Sequence, residues 1–194
     1  MKKILALIII ISGFCISSRV AAQINEDNVY YNGIFKVQIQ GPKDWQVTHK
    51  EGLYLRRDPG TGPMINGVYF QVNYFSDSVR GAKGSPHFIV FKALKEDCYK
   101  APELSTAQLV EGVMSELKNI ANLKIVEKPT MVKQKGREWV RFIFEIGTKR
   151  QENYYRIDHE EGVLYIYSAG AFRRTIRSHL DSTFESIEIQ NEKA

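Results

Sequence analysis

The sequence predicts an α+β domain, a central antiparallel sheet sandwiched by helices, on three observations. Strand-like segments with a two-residue alternation recur from Phe35 to Ala169, two helical patterns fall between and after them, and no internal repeat or low-complexity tract intervenes. The densest run is Lys124 to Phe172, which reads as an antiparallel meander. Within Arg137 to Ile146, Glu138, Val140, Phe142, Phe144 and Ile146 share one face and Trp139, Arg141, Ile143 and Glu145 the other, so one side is apolar and the other mixed. Lys135-Gly136, Gly147 to Arg150 and Glu160-Glu161-Gly162 separate this strand and its neighbours at Glu152–Asp158 and Val163–Ala169, glycine supplying the positive φ that tight turns need.

The first residues read as an export signal. Lys2 and Lys3 form a positive start, Ile4 to Ile11 an apolar core, and Val20-Ala21-Ala22 a small-residue cleavage site, with the cut expected between Ala22 and Gln23. The apolar run is shorter than the about 20 residues of a membrane span, which leaves an uncleaved anchor as the alternative. Cys15 follows Phe14, where lipoprotein processing needs a small residue. The expected divisions are a signal over 1–22, a lead-in over 23–33, one domain over 34–190 and a polar tail over 191–194.

Cleavage would leave 172 residues, enough for one sizeable core. Lys2, Lys3 and Arg19 would leave with the signal, taking 27 basic side chains to 24 against 22 acidic ones. A net charge of +2 makes nucleic acid or an anionic membrane an unpromising partner, despite an isoelectric point near 9.1 for the whole chain. Cys98 alone would remain, too few for an internal disulfide; a buried, inert thiol is expected, with an intermolecular disulfide as the alternative.

Gln23 to Asn32 is polar and without period. Phe35, Val37 and Ile39 alternate with Lys36, Gln38 and Gln40 in a half-buried strand ended by Gly41-Pro42. Trp45 and Val47 resume the apolar face, and Leu53 and Leu55 begin another short strand closed by the turn cluster Asp58 to Pro63. Val68, Phe70, Val72 and Tyr74 mark the next strand, and Ser76 to Pro86 a loop. His87 to Leu94 is rich in Phe, Ile and Val and reads as a strand, although Ser85-Pro86 could open a helix reaching Cys98. Leu109, Val113, Leu117 and Ile120 then trace one helical face, with Ser105 and Gln108 as a capping box and an end near Asn119 to Asn122. Ile176, Leu180 and Phe184 trace a second helix from about Arg174, after which Ile187 and Ile189 look extended.

The opening Phe35-x-Val37-x-Ile39-x-x-Pro42-x-x-Trp45, the mid-chain amphipathic helix, the meander and a closing helix ending in Ser182-Thr183-Phe184 together resemble the PsbP-like family. That family includes an extrinsic protein of photosystem II, a Ran-binding yeast protein and many exported bacterial proteins. The resemblance covers nearly the whole chain after the signal. It implies an α/β/α sandwich, with helices on both faces of the sheet, and a non-catalytic binding or accessory role. No functional residue carries over, because family members use different surfaces for different partners.

Catalytic motifs are absent from the sequence. There is no Gly-x-Ser-x-Gly elbow, and Gly60-x-Gly62 precedes a proline and no helix, unlike a dinucleotide fingerprint. His49, His87, His159 and His179 lack the spacing of a metal-ligand motif; Asp158, Glu160 and Glu161 beside His159 fit a solvated turn. Arg56-Arg57 and Arg173-Arg174 are the candidate contact residues, since a guanidinium fork suits a carboxylate or phosphate, but neighbours on a strand diverge and a solvated surface is the plainer explanation. Trp45 and Trp139 read as core.

The expected function is an exported, monomeric, non-catalytic protein that binds another protein at the cell envelope, periplasmic or secreted, with no cofactor and no stable membrane anchor once cleaved. A metal or small-ligand carrier using the loops Asp58–Pro63 and Ser76–Pro86 is the alternative, and a secreted enzyme the third.

Overall fold

The computed structural model describes residues 23–57, 64–76, 87–147, 149–171 and 177–190. The signal segment with Ala22, the turn cluster Asp58–Pro63, the loop beyond Ser76, Ile176, the arginines Arg173 and Arg174 and the tail lie outside these residues.

Eleven described strands form two antiparallel sheets. The smaller has the order β1-β2-β3-β11, from β1 (Gln23–Ile24), β2 (Val29–Asn32), β3 (Val37–Gln40) and β11 (Glu188–Ile189). The larger has the order β4-β5-β6-β10-β9-β8-β7, from β4 (Trp45–Arg57), β5 (Met64–Ser76), β6 (Phe88–Lys95), β7 (Leu123–Gln134), β8 (Arg137–Ile146), β9 (Lys149–Asp158) and β10 (Val163–Ala171). The meander from β7 to β10 matches the sequence expectation. Lys135 and Gly136, at φ of 47° and 76°, make the β7–β8 hairpin turn, where two successive positive φ values match the twist of the flanking strands.

The expected helix-sandwiched α+β architecture is overturned, because the chain is mostly strand. The larger core lies between two sheets: Tyr30, Val37 and Ile39 from the small sheet, with Phe35 from its β2–β3 turn, pack on Phe70, Val72, Tyr74, Phe91 and Tyr165 of the large one. Two α-helices are present among the described residues, α1 (Thr106–Leu117) and α2 (Arg177–Ser186), of 12 and 10 residues. Leu180 and Phe184 of α2 join the inter-sheet core, whereas Val110 of α1 seals a separate cluster with Val140, Phe142 and Phe144 on the opposite face. Residues expected as a structureless lead-in supply β1 and β2. The two short strands expected over Trp45 to Leu55 are one strand of 13 residues, paired to β5 along its whole length.

Local chemistry explains the element ends. Ser105 Oγ accepts from the Gln108 backbone N–H at 3.2 Å while Gln108 Oε1 accepts from the Ser105 N–H at 2.9 Å, the reciprocal cap that starts α1. Asn28, at φ 58°, donates its side-chain amide to the carbonyls of Pro42, Lys43 and Trp45, fastening the small sheet to the start of β4. Helix α1 and a 3-10 turn at Asp97–Lys100 cover β7, β8 and β9 and the end of β10. The same face of β4, β5 and most of β6 carries no described element; only at the end of β6 does Leu94 join the cluster of Tyr99 and Leu164.

Candidate functional site

Strand register assembles a polar surface on that uncovered face. Lys50, Gln71, Lys92 and Ile166 are successive cross-strand neighbours on β4, β5, β6 and β10; Thr48, Asn73, Val90, Ser168 and Asn153 form the next row. Alternation along the strands puts both rows opposite Phe70, Val72, Tyr74 and Phe91, which point into the core. Gln71 Nε2 donates to Asn73 Oδ1 at 2.6 Å, and Asn73 Nδ2 to Thr48 Oγ1 at 3.2 Å. Farther across, Gln151 Nε2 and Ser168 Oγ each donate to Asn153 Oδ1 at 2.8 Å. Phe75, Phe88 and Val90 stand half-buried among these amides.

Lys92 is the electrostatic anomaly of this face. Burial, and then the neighbouring charge of Lys50, pull its amine below the ordinary lysine value. Other half-buried cations of the large sheet have acceptors: Arg141 meets Glu127 and Glu152, Arg156 meets Asp158, and Arg137 donates to the Ile189 carbonyl. Among the described residues Lys92 has no carboxylate partner.

A second polar feature is a cleft of about 330 Å³ between α2 and strands β7 to β9. Arg141 Nη1 donates to Glu127 Oε2 at 2.6 Å and its Nε donates to Glu152, whose Oε1 also accepts from the Tyr154 hydroxyl at 2.8 Å. Arg150 completes the chain through Glu127 at 3.2 Å. Burial alone would pull the Arg141 guanidinium down, but Glu152, Tyr154 and Glu127 together hold it above its ordinary range. Burial and then Glu152 push the Tyr154 phenol well up. Arg141 therefore stays charged and Tyr154 neutral near neutral pH, and the hydrogen bonds among Arg141, Glu127, Glu152, Tyr154 and Arg150 tie three strands together.

The residues singled out from sequence are scattered. Arg56 and Arg57 close β4 opposite Ile65 and Met64, and with Arg173 and Arg174 outside the described residues the four-arginine patch is neither assembled nor dismantled. Gln23, on the far side of the expected cleavage point, opens β1 opposite Tyr31. His49 lies on β4 with its ring 5.8 Å from that of Tyr30, His179 lies on α2 at 6.4 Å from Trp45, and His87 is buried. His159 Nδ1 sits 2.8 Å from the Tyr99 carbonyl, and the adjacent Asp158 accepts from the Glu161 N–H, so this acidic stretch is a structured β9–β10 turn. No group of three or more His, Cys, Asp and Glu side chains among the described residues could hold a metal ion. Cys98 corrects the expectation of a buried thiol: it is exposed on the 3-10 turn and donates to Glu96 Oε2 at 3.1 Å. Sequence reading missed Lys50 and Lys92 because each sits in ordinary strand alternation; only the register reveals that they flank Gln71.

No family model and no curated protein sequence matches the chain. Among solved structures it is similar to a protein from Bacteroides thetaiotaomicron VPI-5482, with 10% identity and a TM-score of 0.46 over 89% of this chain and 49% of that one. The chain thus spans about half the length of that protein. It is also similar to the immunity protein TplEi of T6SS from Pseudomonas aeruginosa, with 10% identity and a TM-score of 0.43 over 86% of this chain and 99% of that one. Neither likeness links the chain to the PsbP-like family. No helix among the described residues is long and apolar enough to cross a membrane.

Proposed function

We propose that the chain is an exported, non-catalytic binding protein that engages another protein at the cell envelope through the uncovered face of its large sheet. The observation that carries this is the set of exposed and half-exposed amides, aromatics and lysines on β4, β5 and β6, which no described element covers apart from the Leu94 end of β6. Half-exposed aromatic side chains set among hydrogen-bonding groups are what protein interfaces enrich, whereas small-molecule sites are concave and mostly apolar. The cleft beside α2 accords with the non-catalytic part, since Arg141 and Glu152 are bonded to each other and Arg177 pairs with Asp181. Export rests on the signal-like first 22 residues, and the accessory role accords with the PsbP-like resemblance.

Site-specific photo-crosslinking tests this. A crosslinker replacing the exposed Thr48, on the uncovered face, should trap an envelope protein, while one replacing the exposed Ser182, on α2, should not. Equal trapping from both positions, or none from Thr48, would refute the assignment of this face.

A further inference from the structure

We propose that Lys50 and Lys92, with Gln71 between them, form the seat for a side-chain carboxylate on an acidic segment of the partner protein. This rests on the protein-binding reading above and names the chemistry it needs.

The seat is defined by register. Lys50 pairs across to Gln71, and Gln71 to Lys92, so both lysines rise from the same face on either side of one amide. Neighbouring strands are about 4.8 Å apart, so two four-carbon side chains starting one strand on either side of Gln71 can close on a single anion. The like-charge effect of Lys50 on Lys92 shows that the two ammonium groups already sense each other.

A half-buried ammonium is costly unless it is paired. Other cations of the large sheet with comparable burial have acceptors within the fold: Arg141 has two carboxylates, Arg156 has Asp158, Lys95 meets Glu161 at 3.2 Å, and Arg137 donates to the Ile189 carbonyl. Lys92 instead has Gln71 and Ile166 as its cross-strand neighbours, with a second cation, Lys50, beyond Gln71. An incoming carboxylate would supply the missing charge, relieve the repulsion between the lysines and strengthen both interactions as water leaves the face.

The surroundings select the kind of anion. A nucleic-acid or lipid surface is held by many cations acting on many phosphates, and two lysines are too few for that. A peptide has one carboxylate per acidic side chain, flanked by main-chain groups that Gln71, Asn73 and Thr48 can hydrogen-bond and by apolar atoms that Phe75 and Phe88 can cover.

The experiment measures binding of a fluorescently labelled Glu-rich peptide to the chain, with Lys50→Gln, Lys92→Gln and, as a distant control on an exposed lysine after α1, Lys118→Gln. Saturable binding that falls at least about tenfold in each of the first two variants and is unchanged in the third is expected. In lysine-labelled spectra the peptide should shift the Lys50 and Lys92 side-chain resonances together. A Lys-rich peptide should not bind, and neither inorganic phosphate nor vesicles containing phosphatidylglycerol should displace the Glu-rich one. Equal loss in Lys118→Gln, absence of saturable binding, or displacement by phosphate or vesicles would overturn the seat. The Thr48 crosslink separates this failure from that of the underlying reading. If the crosslink survives in the Lys50→Gln, Lys92→Gln double variant, the seat falls and the binding face stands; if the parent gives no crosslink, the face itself falls.

Discussion

The Gln134 side-chain amide, at the end of β7, donates to the Ile187 carbonyl just past α2 at 2.9 Å. The same nitrogen lies 3.3 Å from the carbonyls of Phe184 and Glu185, the first of which also accepts from the Ile187 N–H, so one buried amide gathers the carbonyls around the end of the helix. Gln134→Leu, similar in size and without the donors, should lower stability by about 1–3 kcal/mol, the cost of stranding buried acceptors. Urea denaturation would show this as a lower midpoint at unchanged slope; an unchanged midpoint would mean that water replaces the amide.

Phe184 is the apolar anchor of the same helix. Its ring stacks on Tyr154 with centroids 4.0 Å apart and meets Trp139 edge-on at 5.4 Å. Phe184→Ala should cost about 3–5 kcal/mol, combining lost transfer energy with a cavity bounded by rigid aromatic rings. Chemical denaturation followed by tryptophan fluorescence reads this, since Trp139 borders the vacated space. A loss below about 1 kcal/mol would show that α2 settles into the gap.

At the start of α1 the Ser105 cap makes a smaller, local contribution. Ser105→Ala should cost about 1 kcal/mol, and Ser105→Asp, which can still accept from the Gln108 N–H, should recover most of it. Amide hydrogen exchange over the first turn of α1 would localise the change; faster exchange throughout the large sheet instead would contradict a local cap.

Gly41 lies where the chain passes over Tyr74. A Cβ at this position would fall 2.1 Å from the Tyr74 ring, which is fully buried and whose hydroxyl donates to the carbonyls of Asn28 and Ile39. Gly41→Ala should therefore destabilise by about 1–3 kcal/mol through overpacking. Thermal unfolding of Gly41→Ala beside Gly112→Ala tests it, because the Gly112 Cβ would meet nothing within 4 Å. Equal effects in the two variants would refute the steric account.

Lys92 predicts a pH dependence of defined sign. Its amine holds a proton less tightly in the folded chain than in the unfolded one, whose ordinary value is 10.5. Below the folded value both states are charged and the penalty is fully present. Between the two values the unfolded chain binds more protons, so stability rises with pH. Lys92→Met should consequently be more stable than the parent at pH 7, with the advantage shrinking as pH approaches 10.5. Denaturation of both proteins at each pH gives the difference directly, and an advantage that grows with pH would reverse the sign and defeat the explanation.

Alternation made several strands legible in the sequence. Val68 to Tyr74, Val140 to Phe144 and Val163 to Ala169 all bury alternate or successive residues against a packed layer, and the pattern records that burial. β4 was not legible as one strand because His49, Lys50 and Glu51 are exposed where it runs along the edge, and what holds them extended is pairing with β5. β1 and β2 were obscured by asparagines. Asn32 is buried because its amide donates to the Tyr30 hydroxyl and to Glu51, a role that hydrophobic periodicity does not register. The order of elements suggested helical layers, but the layer over the large sheet is built from strands near both chain ends, and strand pairing at that separation leaves no local signal. Lys50 and Lys92 were hidden for the same reason.

The four-stranded sheet has a temporal consequence. Glu188 and Ile189 pair with Gln38 and Val37, and Ser186 Oγ accepts from the Gln40 N–H at 2.9 Å, so strands near both ends of the chain meet in one sheet. A nascent chain cannot form this contact until the segment carrying β11 has emerged, and contacts so distant in sequence form slowly. The inter-sheet core is therefore sealed late, only once the segment carrying Glu188 and Ile189 has left the ribosome, and up to that moment the early strands β1 to β3 wait without their closing neighbour.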